Sequence, residues 1–240
     1  MGGDVVPPHE STKPALTRLL GGSEAPALLF TASHGIGFRS RDPLQVTKQG
    51  ALLCQSWYRG VVPTADHYFA ASDVHDDADV GGMITFHFAC FSAGTPAEDG
   101  FLVRSNRSPV RLSAQPFLAA LPQRLLSHQH GGALAVIGHV DRAWGSSFMV
   151  RGVGSHTEVF ESSLEALLSG LPVGAALEYL SSWYTELSAE LADLIDSVRR
   201  GKRPDHRLLA AMWTANNDAR NYTIIGDPAV RYCGIPGGAK

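Results

Sequence analysis

The sequence predicts an α/β fold in which helices cover a mostly parallel sheet. Three observations predict it. The strand-like segments are apolar throughout rather than alternating, the mark of strands buried on both faces. They alternate along the chain with segments of helical periodicity. The 25 glycines among 240 residues supply tight joints between such elements.

In chain order, residues 1–24 read as a loose N-terminal segment, rich in Pro and Gly at 1–14, in which "PALTRLL" offers one short helix. Residues 25–240 read as a single domain. "APALLFTAS" (25–33) is an apolar run bounded by turn signals, hence a buried strand, and it ends at "HGIGF". "GALLCQSW" (50–57) is another short strand. Residues 59–81 are loop-like and acidic, with "SDVHDDAD" at 72–79. "GMITFHFAC" (82–90) is the next strand, and residues 95–113 read as a long irregular, exposed segment. "AQPFLAALPQRLLSH" (114–128) has helical spacing, and "GGALAVIGHV" (131–140) is a third buried strand. "TEVFESSLEALLSG" (157–170) opens on a capping box at Thr157 and stops at Gly170. A long helix starts at Pro172 and runs to a polar break, "GKRPD"; a last helix follows through "LLAAMWTANN". "NYTIIGDPAVRY" closes with a strand and a turn in which Asp227 bonds nearby backbone.

Bulk properties exclude several function classes. A net charge of −3 gives no footprint for nucleic acid or a membrane surface. No apolar run reaches a membrane span, and "MGGDVVPPHE" lacks the basic and apolar segments of a leader, so none is expected. Cys54, Cys90 and Cys233 are odd in number, far apart and free of any CxxC pair, which argues for a reducing, cytoplasmic setting. Cys54 and Cys233 read as buried apolar residues. No phosphate-loop ending is present, so no nucleotide cofactor is expected. The acidic loop fits no EF-hand spacing, and His34, His87 and His139 lack a His-x-x-x-His helix, so no metal is expected either.

Chemistry concentrates at two strand ends. In parallel sheets, ligands gather at the carboxyl ends of the strands. One strand delivers His34 there and another delivers Cys90. A thiol becomes a strong nucleophile as thiolate, which a neighbouring imidazole promotes. Gly35 lets backbone approach a substrate, so the N–H groups of Gly35 and Cys90 would form an oxyanion hole. Ser92, Ala93 and Gly94 are small enough to leave the substrate room. The competing reading of the same residues is a buried structural cysteine at a strand end. His87, three residues before Cys90, falls on the opposite face by alternation and reads as a packed, hydrogen-bonded histidine.

Four segments, "FTASHGIGF", "FHFACFSAG", "GGALAVIGHVDRAWGSSF" and "NYTIIGDPAVRY", occur in the order seen in gingipain-type cysteine peptidases. The chain also resembles the related CHAT-domain proteases and, more distantly, caspases, legumain and separase. The resemblance runs from about residue 27 to residue 232. It implies a caspase-like three-layer α/β/α fold and a cysteine endopeptidase with a Cys/His dyad: Cys90 as nucleophile, His34 as acid/base. It places the loop "HVDRAWGSSF" beside the P1 side chain, with Trp144 and Phe148 as walls. Aromatic walls suit the stem of Arg or Lys, whose charged head needs a carboxylate. Asp73, Asp76 and Asp141 are the local candidates, and basic P1 residues are expected. An acidic P1 would instead call on Arg39, Arg41 or Arg142.

The chain departs from the family in two respects: no acid upstream of His34 (Asp4, Glu10 or Glu24) sits in a motif matching the family's P1 acid, and its start is short. Only about 26 residues precede the histidine strand, where relatives place at least one more strand–helix unit. This is either a trimmed version or part of a longer protein. Expected partners are a protein substrate and an activating protein or missing domain. Arg104, Arg107, Arg111 and Lys202-Arg203 would be self-cleavage sites if activation requires a cut. Two other readings stand beside the peptidase: a catalytically idle caspase-like module that binds a partner, and a metal-dependent hydrolase using His34 and the acidic loop.

Overall fold

The computed structural model describes residues 4–103, 108–145, 149–150, 154–155 and 157–233. Its centre is a four-stranded sheet of β1 (Leu28–Ala32), β2 (Ile84–Phe88), β3 (Ala135–His139) and β4 (Tyr222–Gly226), in that spatial order. The first three strands are parallel and β4 runs antiparallel to β3. The two middle strands explain the continuous apolar runs: all of β3 and four of the five residues of β2 are buried.

Among the described residues six α-helices accompany the sheet: α1 (Lys13–Leu19), α2 (Gln45–Lys48), α3 (Ala120–Leu126), α4 (Thr157–Leu168), α5 (Val173–Arg199) and α6 (His206–Ala219). Strand alternation divides their partners. Ile84 and Phe86 of β2 and Ala135 and Ile137 of β3 pack with Phe160 of α4, Leu180 and Leu187 of α5 and Met212 of α6. Leu29 and Val136 face the other way and pack with Leu121 and Leu125 of α3, against which Leu16 and Leu19 of α1 also lie. Helices therefore flank the sheet on both sides, which leaves the strand ends as the open edge.

Local sequence sets the helix limits. Pro122 lies in the first turn of α3, where its missing N–H is no loss, and Ala119 ahead of it is extended. The helical spacing at 114–128 thus yields a short helix, while Phe117–Leu118 pairs with Gly94–Thr95. Asp205 caps α6 by accepting from the Arg207 and Leu208 amides. α5 ends in a Schellman motif at Gly201, with bonds from Lys202 to Ser197 and from Gly201 to Val198.

Several expectations need correction. Residues 1–24 are not loose throughout, because Leu16, Leu19 and the buried Leu20 join the core below β1. The strand expected at 50–57 shrinks to Leu52–Leu53 and pairs with Tyr68–Phe69, outside the central sheet. The segment expected to be irregular holds a ribbon: Glu98–Val103 pairs with Pro109–Arg111 across a register shift. Cys54 is buried, and burial pushes its thiol up to about 11, but Cys233 is exposed. Arg104, Arg107 and Phe148 lie outside the described residues. Among those residues no helix is long and apolar enough to cross a membrane, and no three His, Cys, Asp or Glu side chains gather as a metal site requires.

Candidate functional site

β1 and β2 pair with Ala32 opposite Phe88, and the Ser33 amide still donates to Phe88 O at 3.1 Å. Two residues further along each chain stand His34 and Cys90, so the parallel register brings them level at the carboxyl edge. The Gly35 backbone presses directly on Cys90: a Cβ built at Gly35 would lie 1.8 Å from Cys90 O. Only glycine fits. Gly35 also bridges Leu52 through a non-hydrogen-bonded pair, since Ile36 donates to Ala51 O and Leu53 donates to His34 O. Its own N–H therefore turns away from that strand. The exposed His34 ring meets Trp57 edge-on, with centroids 6.1 Å apart. It makes no hydrogen bond to the thiol.

The chain reverses sharply after the cysteine. Phe91 is buried and has φ of 59°, a left-handed conformation that costs a bulky residue about 1–3 kcal/mol. The surroundings hold it there. The Phe91 amide donates to Asp141 O at 2.7 Å, and Ala93 donates to His139 O at 3.0 Å. Ser92 Oγ donates to His87 O and accepts from the His139 amide, at 2.9 and 3.0 Å. The small residues after Cys90 thus serve to tuck this turn against β3. Ser92 and Ala93 are buried there rather than lining an open substrate path.

The Cys90 thiol donates to the Ala143 carbonyl, S···O 3.6 Å. Burial pushes its pKa up. The Ala143 and Gly35 backbone groups and the Arg142 charge oppose the rise, and Asp218 adds to it. The sulfur is therefore a protonated thiol at neutral pH. His87 is neutral and packed, as alternation predicts: burial holds its pKa down at about 4, and Nδ1 pairs with Thr31 Oγ1 at 2.8 Å.

Behind the thiol lies a buried polar group that sequence reasoning missed. Asp218, in the last turn of α6, has no exposed surface. A carboxyl at the negative end of a helix is out of place unless something holds it. Here the Trp144 amide donates to Asp218 Oδ1 at 2.7 Å, and His139 Nε2 lies 3.4 Å from the same oxygen. Burial works to lower the His139 pKa, but the Asp218 hydrogen bond and charge prevail and raise it. Asp218 Oδ2 and the Tyr222 hydroxyl have no hydrogen-bond partner among the described residues. Asp218 and Cys90 both raise the Tyr222 pKa further beyond the effect of burial, which places the three groups within electrostatic reach of one another.

The segment 141–144 closes the site from the other side. Asp141 is buried, accepts from the Gly100 and Arg142 amides and has its pKa raised by burial. The Arg142 guanidinium bonds Asp99, itself buried, with Nε 3.6 Å from Asp141. Its head lies over two aromatic rings, Phe101 at 5.3 Å and Trp144 at 5.7 Å. Of the sequence-derived pocket residues, then, Asp141 and Trp144 stand beside Cys90. Asp73 is engaged elsewhere, with Lys13 at 2.9 Å and the Ala70 amide at 2.8 Å, and its charge acts on Cys54. Asp76 pairs with Arg124. Asp99 and Phe101 were hidden in a segment whose polar composition reads as loop. No protein-family model, curated protein or solved structure matches the chain.

Proposed function

We propose that the chain is a cysteine-type endopeptidase of caspase-like fold, with Cys90 as nucleophile and His34 as acid/base. One observation carries this reading: the Gly35 backbone lies against the Cys90 backbone at the carboxyl edge of adjacent parallel strands. The strained turn at Phe91 supports it, since such strain concentrates at functional sites.

In the proposed cycle Cys90 Sγ attacks the scissile carbonyl and passes its proton to His34. The Gly35 and Cys90 N–H groups receive the oxyanion. His34 then gives the proton to the leaving amine, and water, deprotonated by His34, hydrolyses the thioester. A basic P1 side chain fits the aromatic and acidic surfaces around Asp99, Phe101, Asp141 and Trp144. Burial raises the thiol's pKa, and in the resting form the S–H donates to Ala143 O.

The test is cleavage of a peptide library mixed at P1, with and without iodoacetamide, read by mass spectrometry. Alkylation-sensitive cutting after Arg or Lys is expected. Cys90→Ala is expected to abolish turnover and to shift stability by no more than about 1 kcal/mol; turnover surviving in that variant would remove Cys90 from the mechanism. One observation favours the binding-module reading: the protonated thiol is covered by a carbonyl of its own chain. Absence of any cleavage, and of any Cys90 modification by peptide electrophiles, would select that reading.

A further inference from the structure

Arg142 occupies an unusual position. The residue before it, Asp141, accepts the Phe91 amide at 2.7 Å. The residue after it, Ala143, accepts the Cys90 thiol at 3.6 Å. The backbone of Arg142 is thus held next to the sulfur from both sides. Its side chain leaves this point and enters a slot made by the buried Asp99 and Asp141 carboxyls and by the rings of Phe101 and Trp144.

The slot is built for a guanidinium. Asp99 is oriented from behind, because its Oδ1 also accepts the Phe101 and Leu102 amides at 2.8 and 3.0 Å. Asp141 is oriented by the Gly100 amide at 3.3 Å. The two rings stand 5.8 Å apart at 60°, in contact with each other, and the guanidinium rests against both. A surface ion pair would need none of this preparation and would contribute little to stability. Arg142 also uses the slot incompletely: its Nε is buried without a hydrogen-bond partner among the described residues.

We propose that Arg142 is a built-in occupant of the P1 subsite, holding the site closed until a substrate arginine displaces it. This rests on the peptidase reading above and deepens it. It names Asp99 as the acid that selects the substrate's charge, with the rings of Phe101 and Trp144 as the surface its guanidinium rests on. It also explains why the thiol rests against Ala143 O: the same short segment that fills the slot covers the sulfur. A tethered occupant competes at high effective concentration, so the open fraction scales the apparent rate for any basic substrate.

The test measures covalent modification of Cys90 by two peptidyl chloromethyl ketones that differ only at P1, Arg or Leu, with iodoacetamide as a third reagent. Wild type is compared with Arg142→Ala, with Arg142→Met, which keeps stem volume on the rings, and with Arg142→Ala/Asp99→Asn. An occupant present about nine-tenths of the time predicts a rise of about tenfold in the Arg-probe rate when it is removed. The rise is expected in both single variants, with the Leu probe changing much less. Adding Asp99→Asn should bring the Arg probe back to the level of the Leu probe. Equal Arg-probe rates in wild type and both single variants would overturn the proposal and leave the peptidase reading intact. Loss of folding in both would make Arg142 a structural brace and overturn it as well. Reaction of Cys90 with iodoacetamide but with neither peptide probe, in every form, would instead defeat the peptidase reading itself.

Discussion

Gly35 is the residue on which the site depends most sharply. Its space is set by the Cys90 carbonyl at 1.8 Å from the place a Cβ would take, and backbone cannot yield as a flexible side chain can. Gly35→Ala must push the His34 segment away from Cys90 or distort the turn at Phe91, which is already strained. Expected is a loss of about 1–3 kcal/mol in stability, as for other overpacked sites, together with loss of peptide cleavage. Urea unfolding and the library assay check the two effects separately. A fully active and stable Gly35→Ala would mean that the two strand ends need not touch. Arg142 and Asp99 act at the same scale, but what they control is access rather than position.

At the scale of elements, the legible part of the fold was that with one dominant period. β2 and β3 announced themselves because burial on both faces keeps them mostly apolar, with Thr85, His87 and His139 as buried exceptions, whereas β1 reads as equally apolar although it is the sheet's edge and buries only Leu29 of its five residues. α4 did so through its amphipathic spacing and Gly170, whose φ of 81° closes a Schellman motif with bonds from Leu171 to Ala166 and from Gly170 to Leu167. Gly170→Ala forces a Cβ into that left-handed position and should cost about 1–2 kcal/mol, read as a lowered urea midpoint; an unchanged midpoint would show that this helix end contributes nothing. His34 and Cys90 were singled out for a related reason, since each stands just past a recognisable strand, whereas Trp144 came only from the resemblance. Asp99, Phe101 and Asp218 were not. The ribbon holding Asp99 pairs across a register shift, so its alternation is broken. Asp218 sits in "ANNDAR", a polar helix end by composition, and only packing against β3 buries it. Burial of a carboxyl by tertiary contact leaves no trace in local sequence.

For the whole molecule, the pH response follows from two buried histidines of opposite behaviour. His139 gains from Asp218, so its pKa rises on folding; its contribution is complete below the ordinary histidine pKa and is lost as pH climbs through the raised value. His87 is held neutral by burial, with its pKa near 4 against about 6.5 when unfolded. Between those values the unfolded chain binds a proton that the folded chain refuses. The stability contributed by His87 is therefore present above pH 6.5 and disappears as pH falls toward 4, by about 3 kcal/mol in all. His87→Gln keeps a hydrogen-bonding side chain opposite Thr31 Oγ1 and removes the titration. Carboxylates titrate alike in both proteins and cancel in the comparison. Urea unfolding of wild type and variant at pH 7.5 and pH 4.5 should show wild type losing about 2–3 kcal/mol more than His87→Gln over that interval. If the two proteins lose stability in parallel, the folded chain takes up the His87 proton without penalty. The strand that delivers Cys90 would then have to be open to water at its centre, and a site that relies on excluding water beside the thiol would lose its physical basis.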